Sequence, residues 1–226
     1  MFIHLQKRAN IERQNAELRA KPQNVDLSAN QIQYSDATLF PFRFEPKNFE
    51  GPLLEISQFT LKDIVIDGKY DVGCVVQRIH VGKDCALNSV NAQSFNIFSS
   101  EFEKGFSLSD SRFGECSFGA IQSKEGVFIA RTNVNTLHFT DSTVWSLVLR
   151  DIVARDWISL KGLHVKRNLV LHRLKAQFID LRDIVVDGEL DLHGLKPDYD
   201  GVGYIRCSKN DADRIHHAAP TIPLVY

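Results

Sequence analysis

An apolar–x–apolar pair recurs about every five residues from Phe59 to Leu192, and no other feature of the chain constrains its fold as strongly. The run passes through Ile64/Ile66, Ile79/Val81, Cys85/Leu87, Phe95/Ile97, Phe106/Leu108, Cys116/Phe118, Val127/Ile129, Leu137/Phe139, Leu147/Leu149, Ile158/Leu160, Leu169/Leu171 and Ile179/Leu181. A spacing of two within a pair sends both side chains to one face of a short extended segment. A step of five between pairs fits neither a straight strand nor a helix, which repeats at i, i+3, i+4 and i+7. It fits a chain that turns a corner after each segment. After four such segments it returns above its start, one strand spacing higher (~4.8 Å).

Six-residue steps interrupt the fives at residues 82–87, 103–108, 124–129, 166–171 and 187–192, before the same segment of each turn, with one more at 155–160. Four of these corners hold Gly105, Gly126, Asn168 and Gly188, residues that tolerate a positive φ. The expectation is a left-handed corner with an extra residue once per turn. The stretch Gly73–Arg78 breaks the phase and reads as a loop pushed out of one coil.

The pattern resembles the pentapeptide-repeat family. Val25-Asp26-Leu27-Ser28-Ala29, Ile179-Asp180-Leu181-Arg182-Asp183 and Leu190-Asp191-Leu192-His193-Gly194 are similar to its A-(D/N)-L-x-x unit. The resemblance implies an all-β solenoid: a right-handed quadrilateral parallel β-helix with coils of about 21 residues. A bulky residue often stands at the first inward position, where the family has a small one. An 18-residue coil of hexapeptide repeats does not match this period.

The flanks follow different rules. Residues 1–24 hold five basic and two acidic side chains, and 3–20 read as a helix stopped by Lys21-Pro22. Residues 25–58 read as an irregular first coil followed by a loop rich in proline and phenylalanine, from Leu39 to Pro52. The β-helix is expected over 59–195 and a cap and tail over 196–226. In that cap, Ser208 and Asp211 are spaced as a capping box before a short helix through about His217. The helix would hide the last strand edge, which otherwise invites end-to-end stacking. The final Pro223–Tyr226 reads as a tail or a strand.

Net charge is −1, which gives no general attraction to nucleic acid. There is no glycine-rich phosphate loop, nucleophile elbow or paired metal-ligand spacing, so no catalytic residue, cofactor or metal is assigned. Of the four cysteines, Cys85 and Cys116 take inward positions too far apart to pair, and Cys74 and Cys207 have no metal spacing. Unpaired cysteines point to a reducing compartment. With no apolar leader and no bilayer-length apolar run, a cytoplasmic protein without membrane association is expected. Secretion without a cleaved signal stays open.

Two outward columns stand out. Between the inward residues of the segment after the six-step corner run Ala86, Ser107, Phe128, Val148, Val170 and Asp191. Phe128, Val148 and Val170 therefore form an apolar strip on successive turns, with Val153 on the next face. Such a strip on a polar rod marks a contact surface, unless the chain's own termini cover it. Arg150, His172 and His193 form a polar column beside it, with the two histidines expected to stack about 5 Å apart. Charge is also segregated: residues 150–175 hold seven basic and two acidic side chains, and 180–191 hold five acidic and one basic.

The expected function is non-enzymatic. A rigid rod would bind a protein partner or a second copy of itself, as a scaffold or homodimer. One alternative comes from the resemblance: some members of that family bind gyrase or topoisomerase IV by mimicking DNA. That needs a strongly acidic rod, and the basic stretch at 150–175 opposes it. The other alternative is an enzyme or binder acting on a polymer laid along Arg150, His172 and His193.

Overall fold

The computed structural model describes residues 75–82, 85–197 and 201–226 in full. Before them it describes the strands Phe2–Leu5, Gln31–Tyr34, Pro41–Phe44, Leu53–Ser57, Thr60–Leu61, Asp63–Lys69 and Gly73–Gln77. All strands except the first two join one continuous sheet in which each pairs in parallel with the strand one turn away. The chain winds as a parallel β-solenoid of about seven turns, each about 21 residues long.

Among the described residues, the cross-strand register falls into four columns of aligned residues. Column A runs Ile64, Cys85, Phe106, Val127, Leu147, Leu169, Leu190. Column B aligns Ala92 with Phe113 and Val134 with Ala154. Column C runs Leu54, Cys74, Phe95, Cys116, Leu137, Ile158, Ile179, Ile205. Column D runs Leu61, Val81, Phe102, Ser123, Val144, Val165, Val186. The described residues of the sequence ladder fall in these columns, and nearly all are buried, Leu87, Phe118, Leu149 and Leu181 completely. Phenylalanines fill the axis of the middle turns. Phe118 lies 5.3 Å from Phe106 and 5.1 Å from Phe139, ring centroid to ring centroid.

The solenoid reaches further toward the N-terminus than the ladder indicates. Pro41–Phe44 pairs with Asp63–Ile66 in column A, so part of the proline- and phenylalanine-rich segment is a strand of an early turn. Gly73–Gln77 is likewise a strand and not a loop, paired with Leu53–Ser57 below and Ser94–Phe98 above. A bulge between Asp67 and Gly68 shifts the ladder's phase there, which is why the pair Cys74/Val76 escapes a count in fives. Of the expected helix over 3–20, Ile3–Leu5 lie in a strand paired with Ile32–Tyr34, and the remainder lies outside the described residues.

The left-handed corners are not at Gly105, Gly126, Asn168 or Gly188. Positive φ occurs at Arg78, Ser99, Ala120, Asp141, Gly162 and Asp183, between columns C and D, and at Ser89, Asp110, Arg131, Asp151 and Arg173, between A and B. Each non-glycine residue in this region costs about 1 kcal/mol or more. The buried hydroxyl that follows several of these bends offsets the cost. Ser111 Oγ donates to Ser109 O at 2.7 Å and accepts from the Val90 N–H at 3.0 Å, one turn away. Ser142 does the same with Thr140 O (2.8 Å) and the Ile121 N–H (3.1 Å). Small hydroxyl residues stand at first inward positions because they close the hydrogen-bond account of a bend. Ser142→Ala leaves the Ile121 N–H unpaired in the core, and we expect a loss of about 1–3 kcal/mol in chemical denaturation.

Gly105 and Gly188 serve a different end. A Cβ at Gly105 would sit 1.7 Å from the Gly126 carbonyl oxygen, and one at Gly188 would sit 2.1 Å from that of Arg167. Close backbone stacking selects glycine there, with φ in the ordinary region. Asn168 at the same bend accepts the Glu189 N–H through Oδ1 at 3.4 Å.

The C-terminal end is closed by a stretched last turn, a helix, an arginine and an added strand. A five-residue insertion stretches the last turn, so Ile179 aligns with Ile205 and not with residue 200. Helix α1 (Ala212–Ala218) buries Ile215 and Ala218 against the end of the core, joined by Ala219 and Ile222. Arg214 donates to Val186 O at 2.9 Å and Gly188 O at 2.8 Å, carbonyls of the last column D strand and of the bend that follows it. Leu224–Val225 then adds a strand to Val202–Arg206. The capping-box pair does meet, but Ser208 donates to the Asp211 carboxylate, and neither side chain caps the helix backbone. Among the described residues, no helix is long and apolar enough to cross a membrane.

Candidate protein-contact surface

Outward positions of column A are fixed by the inward ones on either side. The register sets Phe128 beside Val148 and Val148 beside Val170, so the strip is continuous over three turns. Ser107 precedes it and Asp191 ends it. Phe128 is 37% exposed, Val148 and Val170 are half-buried, and Val153 on column B is 42% exposed between Asn133 and Lys175. The cross-strand packing of Val148 and Val170 along the sheet accounts for their lower exposure.

The structure adds Trp145, which is 44% exposed at the bend between columns D and A, beside the strip. Its position was visible in the sequence, immediately after inward Val144, but inward-pair counting ignores bends. The same bend carries Lys166 and Arg167 on the next turn, both exposed and with no salt bridge among the described residues. On the opposite flank stand Arg150, 3.6 Å from Asp151, and half-buried His172.

The polar column is only partly assembled. Arg150 and His172 are register neighbours, but a bulge after Val170 sets Gly194, not His193, beside His172. His172 lies over Gly194, where an added Cβ would come 2.0 Å from Nδ1. His193 turns away to Asp191, with its N–H 3.0 Å from Oδ1. The expected histidine stack is therefore absent, because the bulge consumes one residue of the column. No group of three potential metal ligands occurs among the described residues.

Column C carries an aromatic ladder that inward-pair counting also passes over. Phe178 stacks between Trp157 (5.9 Å, 14°) and Tyr204 (5.1 Å, 11°), with the Arg206 guanidinium 5.1 Å from its centroid. Trp157 and Phe178 are one turn apart in sequence, but the insertion before Tyr204 hides the third member. The ring faces of Phe178 are taken by its neighbours, so the ladder offers edges to solvent and is no platform for a planar ligand.

Ion pairs link successive turns on the surface. Arg131 grips Asp110 through two nitrogens (2.6 and 2.7 Å), and Lys124 meets Glu103 and Lys104 meets Glu125 at 2.6 Å. These exposed pairs add little stability each. Asp180 differs, being 5% exposed. Burial alone would raise its carboxyl, but the Arg182 side chain, the Arg182 N–H and the charges of Arg182 and Arg206 outweigh that and hold it below the usual carboxylate range. A depressed folded-state value means the pair's contribution is complete above the unfolded carboxylate range and is lost as pH falls through the folded one. We expect wild type to exceed Asp180→Asn in stability at neutral pH, and the gap to close below about pH 4. Denaturation series at several pH values measure this.

The buried thiols Cys85, Cys116 and Cys207 are free. Desolvation pushes the first two well above their ordinary range, leaving them unreactive. An open groove of about 530 Å³ lies between α1 and the tail, lined by Asp213, His216, Thr221, Ile222, Leu224 and Tyr226 among others. Comparison with family models, with characterised proteins and with solved structures gave no match for this chain.

Proposed function

We propose that the protein is a non-enzymatic scaffold, a rigid solenoid that docks another protein along the strip Phe128–Val148–Val170, with Trp145 and Val153 at its margins. The observation that carries the reading is the register: three apolar outward residues on consecutive turns, flanked on both sides by polar and charged ones. An apolar ladder on stacked turns presents its side chains at a spacing of ~4.8 Å, which suits an extended or sheet-like partner. We further propose that the coil is of the right-handed, four-sided pentapeptide-repeat type. Support comes from four columns per turn of about 21 residues, paired inward residues in each, and small hydroxyl residues at several first inward positions.

Neither other function gains an observation. A DNA mimic needs an acidic rod, whereas the net charge is −1 and residues 150–175 are basic. A polymer-processing site on Arg150, His172 and His193 loses its third member to the bulge.

Co-purification from the native host tests the docking reading, with wild type and Val148→Asp as baits. Val148 points outward, so the variant keeps the fold and melts within about 2 °C of wild type. The expected result is a protein retained stoichiometrically by wild type and lost from the variant. Identical retention by both baits contradicts the reading.

A further inference from the structure

We infer that the partner of the strip is an acidic polypeptide, one that brings apolar side chains to Phe128, Val148 and Val170 and carboxylates to Arg150, Lys166 and Arg167. The inference rests on the docking reading above and assigns the chemistry of the occupant. The C-terminal tail and a second copy compete with a different protein for the strip.

The C-terminal tail is engaged elsewhere. Leu224–Val225 is paired with Val202–Arg206 in column C, and Ile222 is buried in the cap. A second copy meets unfavourable charge. Two-fold packing of strip on strip has two forms. With the axis along the rod, each turn meets its own level with the flanks exchanged, so Lys166 and Arg167 of one copy face Arg173 of the other, an arginine already held by Asp151. With the axis across the rod at the Val148 level, Arg150 faces Arg150. Like charges placed opposite one another work against association.

An acidic partner meets complementary charge at the same places. Lys166 and Arg167 are exposed and form no salt bridge among the described residues, so both can meet carboxylates. Arg150 is 51% exposed and only 3.6 Å from an Asp151 carboxylate that Arg173 already holds through two nitrogens. The stretch 150–175 is basic by seven to two, and it supplies the turns on which Val148 and Val170 sit. Charge reverses immediately beyond: 180–191 is acidic by five to one, and Asp191 closes the strip. The reversal sets an orientation, because an acidic segment laid on Val148 and Val170 is repelled if it slides on to Asp191.

Two fluorescein-labelled synthetic peptides probe this, one alternating valine with glutamate and one alternating valine with lysine, read by anisotropy at low and high ionic strength. The glutamate peptide should bind at least about tenfold more tightly than the lysine peptide, and salt should weaken it. Val148→Asp should lose the binding. The double variant Lys166→Glu/Arg167→Glu, whose two side chains are exposed, should keep its circular dichroism and invert the preference. Equal binding of both peptides, with both lost in Val148→Asp, overturns the acidic assignment and leaves the docking reading standing. Absence of glutamate-peptide binding, or binding unchanged in Val148→Asp, overturns the assignment, and the co-purification result then decides the docking reading separately. A wild-type dimer in light scattering that Val148→Asp converts to a folded monomer makes the occupant a second copy, and also overturns it.

Discussion

Phe118→Ala should lower stability by about 3–5 kcal/mol, among the largest single-residue losses available in this chain. Phe118 is wholly buried in column C and touches rings from three directions: Phe95 at 6.5 Å, Phe106 at 5.3 Å and Phe139 at 5.1 Å between centroids. Truncation removes the transfer free energy of the ring and leaves a cavity that the rigid strand spacing prevents from closing. In a solenoid each turn contacts only its neighbours, so the damage is local. Hydrogen exchange should therefore rise in the turns containing Phe95, Phe118 and Phe139 and change little around Leu192 and Ile205. A loss under about 1 kcal/mol, or protection lost evenly along the chain, would contradict this stacking of turns.

Two glycines in one bend column should respond oppositely. At Gly105 a methyl group would overlap the Gly126 carbonyl oxygen at 1.7 Å, and backbone held by hydrogen bonds on both sides has no cheap way to retreat. Gly105→Ala should cost about 3 kcal/mol or more, at the severe end of overpacking. At Gly126 nothing lies within 4 Å of the added atom and φ is not positive. Gly126→Ala should be neutral or stabilising by up to about 1 kcal/mol, through a less flexible unfolded chain. Melting curves of the two variants side by side distinguish this geometry from a bend in which both glycines are needed for a left-handed φ. In that case both substitutions would destabilise alike.

That contrast also marks where sequence reading stops. The inward ladder was legible because burial imposes a type of residue at a fixed interval, and Ile79 to Leu192 carry that imprint almost without gap. The turn length of about 21 residues followed from it. The bends were not legible because all their left-handed positions except Gly162 hold Asp, Ser, Arg or Ala, whose φ is set by the sheet on either side and, at Ser99, Asp110, Arg131 and Asp141, by a hydroxyl one residue on. Gly105 and Gly188 in the neighbouring bend answer to backbone crowding. Phase shifts account for the remaining differences. A bulge at Asp67/Gly68 hid the strand at Gly73–Gln77, another after Val170 took His193 out of its column, and the insertion before Val202 hid Tyr204 from its aromatic neighbours.

On the surface, the strip was legible because Phe128, Val148 and Val170 break an alternation that is otherwise polar. Trp145 was not, since a bend residue has no preferred side in a pattern of pairs. The cationic flank was visible only as a run of charges in sequence. Winding the chain distributes Arg150, Arg155, Lys161, Lys166 and Arg167 around one level of the rod, and only those at the edges of column A border the strip.

The central claim is that the Phe128–Val148–Val170 strip is a docking surface for another polypeptide. The most direct measurement places a photo-crosslinking phenylalanine analogue at position 128, with a second protein carrying it at Asn96 on column C as control, both irradiated in native host cells. The account predicts a heavier adduct between this chain and another polypeptide at position 128, absent when Val148→Asp is added and absent at position 96. Crosslinks from position 128 that stay within the chain, to residues 1–58, would contradict it by showing the strip covered by its own N-terminal segment.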